Sequence, residues 1–460
     1  MDNVTQELAK FILDVKYQDL PAPVIHATKR VLLDSIGCAL AGITTDPGKM
    51  LTSLAVRLGG TPESSIIGEG VKVSCTNAAL ANGQLINAVD YDALMPGAHT
   101  PPYIIPPQLA IGELTGASGK DLILATTLGF EIAARVYNAV NLPRGTTPPG
   151  GKLERQGYAS ANFGAAAGAG KLMKLGHEKM TYALGIAGHL SQVLTWARFD
   201  PAGHRPMTKY GMPGWQNTGG VIAVLLADMG YLGDTTVFDD REGFWKFAGY
   251  AAWRPDEILK DLGRNWVFTG INFKPYPCCR VLHPGLEAFL DIVDQNHLLP
   301  EEIESVKIFR GAGNFNIIGH HDIKSIVDIQ FGLRFVLALA AYRVPVGVEW
   351  QDLNRVRDPK ILEFAEKVTS HGNPETIDNP QLNIIEVSAR GQTFTARRLY
   401  TGVRGVAVPG LEMTDAELVD KFRNNSSRIL TEGKIESAIA AFNGLENIEN
   451  ISELMKLVTR

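Results

Sequence analysis

Hydrophobic positions recur at helical spacing through most of the chain. Leu8, Phe11, Ile12 and Val15 fall on one face of a 3.6-residue period, and the period returns between Val24 and Leu40 until Gly42 closes it. Ser35–Gly42 and Gly164–Gly170 are dense in small residues, which predicts helices whose backbones approach closely in a buried bundle rather than linkers. After about Gly270 the pattern changes. Glu304–Phe309 alternates apolar and polar positions, and Ile385–Thr395 reads as two strands turning at Arg390-Gly391. A capping box at Thr414–Glu417 reopens the helical period, which runs through Ile435, Ile439 and Phe442 to a stop at Gly444. The pattern predicts a mainly α chain: a large helical domain from residues 1–266 and 406–460, with a smaller α+β domain inserted at 267–405.

Composition narrows the classes. The 460 residues are 45% hydrophobic, ample for a large core, and the net charge of -5 offers no basic surface for nucleic acid. No apolar run is long enough to span a bilayer, and the first residues lack both a cationic flank and an apolar signal core. Four cysteines, two of them the neighbours Cys278 and Cys279, do not make a disulfide framework. The expectation is a soluble cytoplasmic protein.

Candidate chemistry gathers in a few loops. Phe273–His283 packs Lys274, Cys278, Cys279, Arg280 and His283 around two prolines that stiffen the backbone. Asp90 and Asp92 precede His99 and Thr100, with Gly97-Ala98 before the histidine and Pro101-Pro102 after it. Lys209 lies between Gly203–Thr208, which includes Arg205, and Tyr210–Trp215. Lysines bounded by breakers and apolar bulk lose hydration, and Lys209 is expected to titrate low. An acid from Asp90 or Asp92, with His99, Lys209 and Lys274, points to acid/base chemistry on a small anion.

Competing sites are weaker. Gly164–Lys171 lacks the Ser or Thr of a phosphate loop. His320-His321-Asp322 has no third metal ligand at suitable spacing. Asp90 and Asp92 would diverge on a helix, so an acid and a structural partner fit them better than a magnesium pair. Cys278 and Cys279 are expected to be buried thiols. No metal ligand set is predicted.

These motifs resemble the MmgE/PrpD family of dehydratases, decarboxylases and epimerases. The likeness runs from Lys29–Gly37 through Asn82-Gly83, Asp90–Asp92, His99, Met207–Lys209 and Gly219-Gly220 to Lys274–His283. It implies a homodimer with a cofactor-free site between a helical domain and a lid, with Asp90, His99, Lys209 and Lys274 catalytic. Thr100, Tyr158, Arg205, Cys279, Arg280 and His283 are the candidate substrate-binding residues. Several polar family positions are changed here: Ala159 follows Gly157-Tyr158 in place of a histidine, Met212 and Cys279 replace two more, and Phe335 replaces a tyrosine. With Trp196, Phe199 and Trp215 near Lys209, these changes imply a substrate with fewer carboxylates, or a larger apolar part, than cis-aconitate. The activity implied is that of a lyase, dehydratase or decarboxylase, moving a proton beside a carboxylate. An isomerase or a non-catalytic carboxylate-binding homologue are the alternatives.

Overall fold

The computed structural model describes residues 3–95, 99–141, 158–192, 199, 204–239, 242–250, 252–310 and 317–460. Gly97, Ala98, Gly157, Trp196 and Gly203 lie outside the described residues. Helices Val4–Asp14, Ala22–Gly42, Cys75–Ala88, Pro101–Thr115, Gly119–Val140, Ala161–Leu172 and Pro213–Asp228 build the first body. The small residues act as the sequence implied. A Cβ on Gly42 would lie 2.1 Å from the Leu85 carbonyl oxygen, and one on Gly164 2.1 Å from that of Gly129. At those distances only glycine lets the helices touch.

Helix Pro101–Thr115 carries Pro106 and Pro107 in its interior. Pro106 has no N–H for the carbonyl of Pro102, four residues back. Asn217 supplies the missing donor: its Nδ2 lies 2.8 Å from Pro102 O. A third helix thereby repairs the break.

The inserted part has a four-stranded sheet in the order Val368–His371, Ile303–Arg310, Leu382–Ala389, Gln392–Leu399. The first pair is parallel and the other two antiparallel. The predicted turn at Arg390-Gly391 is present, with φ of 54° and 69°, the left-handed pair a two-residue hairpin needs. Val368–His371 was not foreseen, because three of its four residues are exposed and show no alternation. A two-residue antiparallel pair, Ser64-Ser65 with Lys72-Val73, also interrupts the otherwise helical body.

Packing separates two apolar cores. One runs from Val4 to Phe273 and includes Met413, Leu418, Phe422, Ile439 and Val458; the other runs from Cys278 to Ala389 and takes in Phe199 and Tyr210. The last helices therefore pack on the first. The described helices include none long and apolar enough to cross a membrane. Phe273 packs in the first core and Cys278 in the second, so the Lys274 loop passes from one to the other.

Candidate active site

Helix Cys75–Ala88 ends just before Asp90, whose φ of 51° is left-handed. Lys209 has the same rare backbone setting, also at φ 51°. Left-handed non-glycine residues are uncommon and gather at functional sites. These two are ionic partners: Lys209 Nζ lies 3.2 Å from Asp90 Oδ1, and Lys274 Nζ 2.9 Å from Asp90 Oδ2. Each ammonium is also anchored to backbone, Lys209 to Asn87 O at 2.6 Å and Lys274 to Asp90 O at 2.7 Å. All three side chains are buried.

Burial opposes charge on each of them, and the local balance decides the result. Asp90 is pushed up by desolvation, but Lys274, Lys209 and His99 outweigh it and hold the carboxyl well below its usual range. Lys274 is pushed down by burial, yet Asp90 and Asp92 carry it above the ordinary lysine value. Lys209 stays below that value, because burial outweighs the same two carboxylates. The two lysines are thus shifted in opposite directions on one carboxylate.

Asp92 works differently from Asp90. It accepts from Asn87 Nδ2 at 3.2 Å and lies 3.2 Å from His99 Nδ1. A carboxylate on Nδ1 places the proton there and leaves the Nε2 lone pair for a reacting group. The His99 ring stacks on Tyr210 at 5.3 Å and meets Tyr158 edge-on at 6.3 Å. The sequence left open which aspartate is the acid and which the structural partner; in the structure it is Asp92 that lies against the His99 ring. The expected divergence of Asp90 and Asp92 also fails, because the helix has ended and Asp90 is left-handed. Donor atoms of Asp90, Asp92 and His99 lie within 4.8 Å of one another, a geometry a metal could use. The two ammoniums on Asp90 already occupy its cation-facing side.

The other candidates separate into two groups. Arg205 is buried beside Phe199 and Phe331, its guanidinium 5.9 and 5.8 Å from their ring centres, and its backbone N–H donates to Asp328 Oδ1 at 3.4 Å. Thr100 opens helix Pro101–Thr115, and its buried hydroxyl has no hydrogen-bond partner among the described residues. Tyr158 meets Tyr210 edge-on at 5.3 Å. By contrast, Arg280 and His283 bond to each other at 3.2 Å and to the carbonyls of Arg404 and Cys278. Burial, then Arg280 and Lys274, lowers His283 well below its usual value, so the ring is neutral. Cys279 is pushed up to about 11 by burial and the Asp90 charge, which leaves a thiol rather than a thiolate near neutrality. Trp215 points largely to solvent, 62% exposed, and does not line the lysines.

Residues the sequence reading passed over hold the group in place. The Gln330 side chain donates to Ala88 O at 2.7 Å, and its backbone carbonyl accepts from Cys279 N at 2.8 Å. Gln351 donates to Pro277 O at 2.8 Å. Polar residues inside an apolar run were the available signal, since buried amides need partners.

The MmgE/PrpD N-terminal domain matches residues 6–252 and the C-terminal domain residues 276–447. The chain belongs to the MmgE/PrpD family. Relatives of this MmgE/PrpD chain include the cis-aconitate decarboxylase of Homo sapiens, 25% identical over 100% of the chain and 95% of the relative. The Aspergillus terreus enzyme of the same name is 25% identical over 99% and 96%. A cis-aconitate decarboxylase-like protein of Aspergillus oryzae is 29% identical over 99% and 97%. The C-terminal family domain reaches residue 447, although Met413, Phe422 and Phe442 pack in the first core.

Proposed function

We propose that this MmgE/PrpD chain is a cofactor-independent lyase, a decarboxylase or dehydratase, that handles a proton beside a carboxylate of a small organic acid. The observation that carries the reading is the buried Asp90 carboxylate shared by two lysines, beside the Asp92-oriented His99. Breaking a C–CO₂ or C–H bond next to a carboxylate leaves an electron pair on carbon, and its delocalisation builds negative charge on the carboxylate oxygens. Fixed cations in a water-poor site stabilise that charge. In this reading Lys274 stays charged and holds a substrate carboxylate, His99 Nε2 takes or returns the proton, and Lys209 shares either task. The cis-aconitate decarboxylase relatives support the class.

The preferred substrate carries fewer carboxylates, or a larger apolar part, than cis-aconitate. Tyr158, Tyr210, Phe199 and Phe331 surround His99 and Arg205 with aromatic surface, and Ala159 and Phe335 bring no donors of their own. An unmatched buried carboxylate would cost several kcal/mol. Proton NMR in D₂O with a panel of mono-, di- and tricarboxylates tests both parts. A lyase changes the carbon skeleton, an isomerase only exchanges or inverts one carbon, and a binding protein does neither. If cis-aconitate gives the highest kcat/KM, the substrate reading fails while the lyase reading stands. The protein is further proposed to act as a homodimer, with the exposed Met229, Tyr231 and Leu232 after helix Pro213–Asp228 available as apolar area.

A further inference from the structure

Helix Asp415–Ser426 belongs to the segment that returns from the lid, and it packs on helix Ala22–Gly42, where a Cβ at Gly37 would meet the Phe422 ring at 3.1 Å. It carries a lysine with no evident place in the chemistry. Lys421 is 6% exposed, and its Nζ lies 2.6 Å from Asp34 Oδ1, itself buried. The same nitrogen donates to Tyr91 O at 2.8 Å and to Lys274 O at 3.0 Å, and sits 3.7 Å from the centre of the Tyr91 ring. An ammonium has three donors, and all three are used.

The identity of the acceptors is informative. Tyr91 separates Asp90 from Asp92, and Lys274 bears the second ammonium of the site. Through those two carbonyls one ammonium joins the backbones of both loops. The two loops are joined elsewhere by a short bridge, Leu94 N to Asn272 O at 2.8 Å and Asn272 N to Leu94 O at 2.7 Å, and by Tyr91 Oη donating to Pro275 O at 3.2 Å. Lys421 ties the same two loops at Tyr91 and Lys274, the sequence neighbour of Asp90 and the carrier of its ammonium partner.

We propose that Lys421, held by Asp34, is a positioning residue that clamps the Asp90 loop to the Lys274 loop and so sets the Asp90–Lys274 geometry. The inference rests on reading the Asp90 group as the active centre. Its physical basis is that a reacting constellation tolerates only about 0.5 Å of displacement, whereas loops joined by few hydrogen bonds open locally.

The test is the double variant Asp34→Asn with Lys421→Met, which removes both buried charges together and so avoids stranding either one. Hydrogen exchange at Leu94 and Asn272 should rise at least tenfold, with no change in helix Gly119–Val140. On the best carboxylate of the panel, kcat should fall at least tenfold and KM change less than threefold. Should this variant not fold, Asp34→Asn with Lys421→Gln keeps a neutral hydrogen-bonding pair and is read the same way. Unchanged exchange at Leu94 and Asn272 would overturn the proposal. So would exchange that rises equally across the chain, with activity following only the folded fraction. The exchange measurement needs no substrate, so it decides this proposal even if no carboxylate is turned over and the lyase reading falls.

Discussion

Replacing Asp90 by Asn is the sharpest perturbation of the site, because it removes one charge and strands two. In the native protein both Asp90 oxygens face ammonium groups at 3.2 and 2.9 Å, and all three side chains are shut away from water. Breaking a buried ion pair by removing one partner costs about 3–5 kcal/mol, since the remaining charge keeps its desolvation penalty without compensation. Asp92 remains, but it is engaged with His99 and Asn87. The stranded lysines relieve the penalty by losing protons, so their folded pKa values drop below the unfolded value of about 10.4. Between the new folded value and 10.4 the unfolded chain binds more protons than the folded one, and stability must then rise with pH. Each lysine inside that window contributes up to about 1.4 kcal/mol per pH unit.

The native protein behaves otherwise. Lys209 is lowered and gains stability as pH climbs towards 10.5, while Lys274 is raised, so its contribution is present below 10.5 and lost above it. Asp90 is depressed, and its contribution is present above 3.8 and lost only as pH falls below that value. Denaturant midpoints followed by tryptophan fluorescence from pH 6 to 9, at constant ionic strength, should show Asp90→Asn far below the native protein at pH 6 and closing the gap by pH 9. Adding Lys274→Met to Asp90→Asn should recover part of the loss. A gap that is the same at both pH values, or below about 1 kcal/mol, would refute the ionic account of this site.

Lys209→Met should lower kcat by about 10² to 10³ and His99→Ala by about 10² to 10⁴, measured as initial rates on the best carboxylate of the panel. Because Lys209 shares Asp90 with Lys274, its removal leaves the carboxylate with one partner, and circular dichroism melts should show a smaller stability loss than for Asp90→Asn. Turnover should survive dialysis against EDTA; loss of activity restored by one specific ion would assign the Asp90, Asp92 and His99 donors to a metal. Asn217→Ala should cost about 1–3 kcal/mol by leaving Pro102 O unpaired, read as a shift in the denaturant midpoint with kcat retained.

What the sequence made legible was the chemistry that periodicity and spacing can carry. The long helices, the hairpin at Arg390-Gly391 and the capping box at Thr414–Glu417 are set by local patterns, and each is present. Lys209 and Lys274 stood out because glycine, proline and aromatic residues bound them, and the structure brings both to Asp90. The division of labour between the two aspartates was not legible, since it depends on Asp90 leaving the helix in a left-handed turn, and no side-chain pattern announces that backbone state for an aspartate. Arg280 and His283 looked like substrate contacts by composition, yet their partners are each other and nearby carbonyls, which only the folded loop reveals.

Lys421 marks the same boundary from the other side. In sequence it is one lysine of an amphipathic helix, where a solvated charge is the ordinary expectation. Its role arises from three elements distant in the chain: Asp34 in an early helix, Tyr91 in the first loop and Lys274 in the second. The returning C-terminal segment therefore joins the site as well as the core. The helix Asp415–Ser426 follows the second core in sequence and packs in the first, which places Lys421 against the loops of Tyr91 and Lys274. The two lysines on the Asp90 carboxylate are also held differently. Lys274 is tied by its side chain to the Asp90 backbone and by its own carbonyl to Lys421, whereas Lys209 reaches the same carboxylate from a separate turn at a longer 3.2 Å. The opposite pKa shifts of the two lysines, Lys274 upward and Lys209 downward, accompany this difference in how each is held.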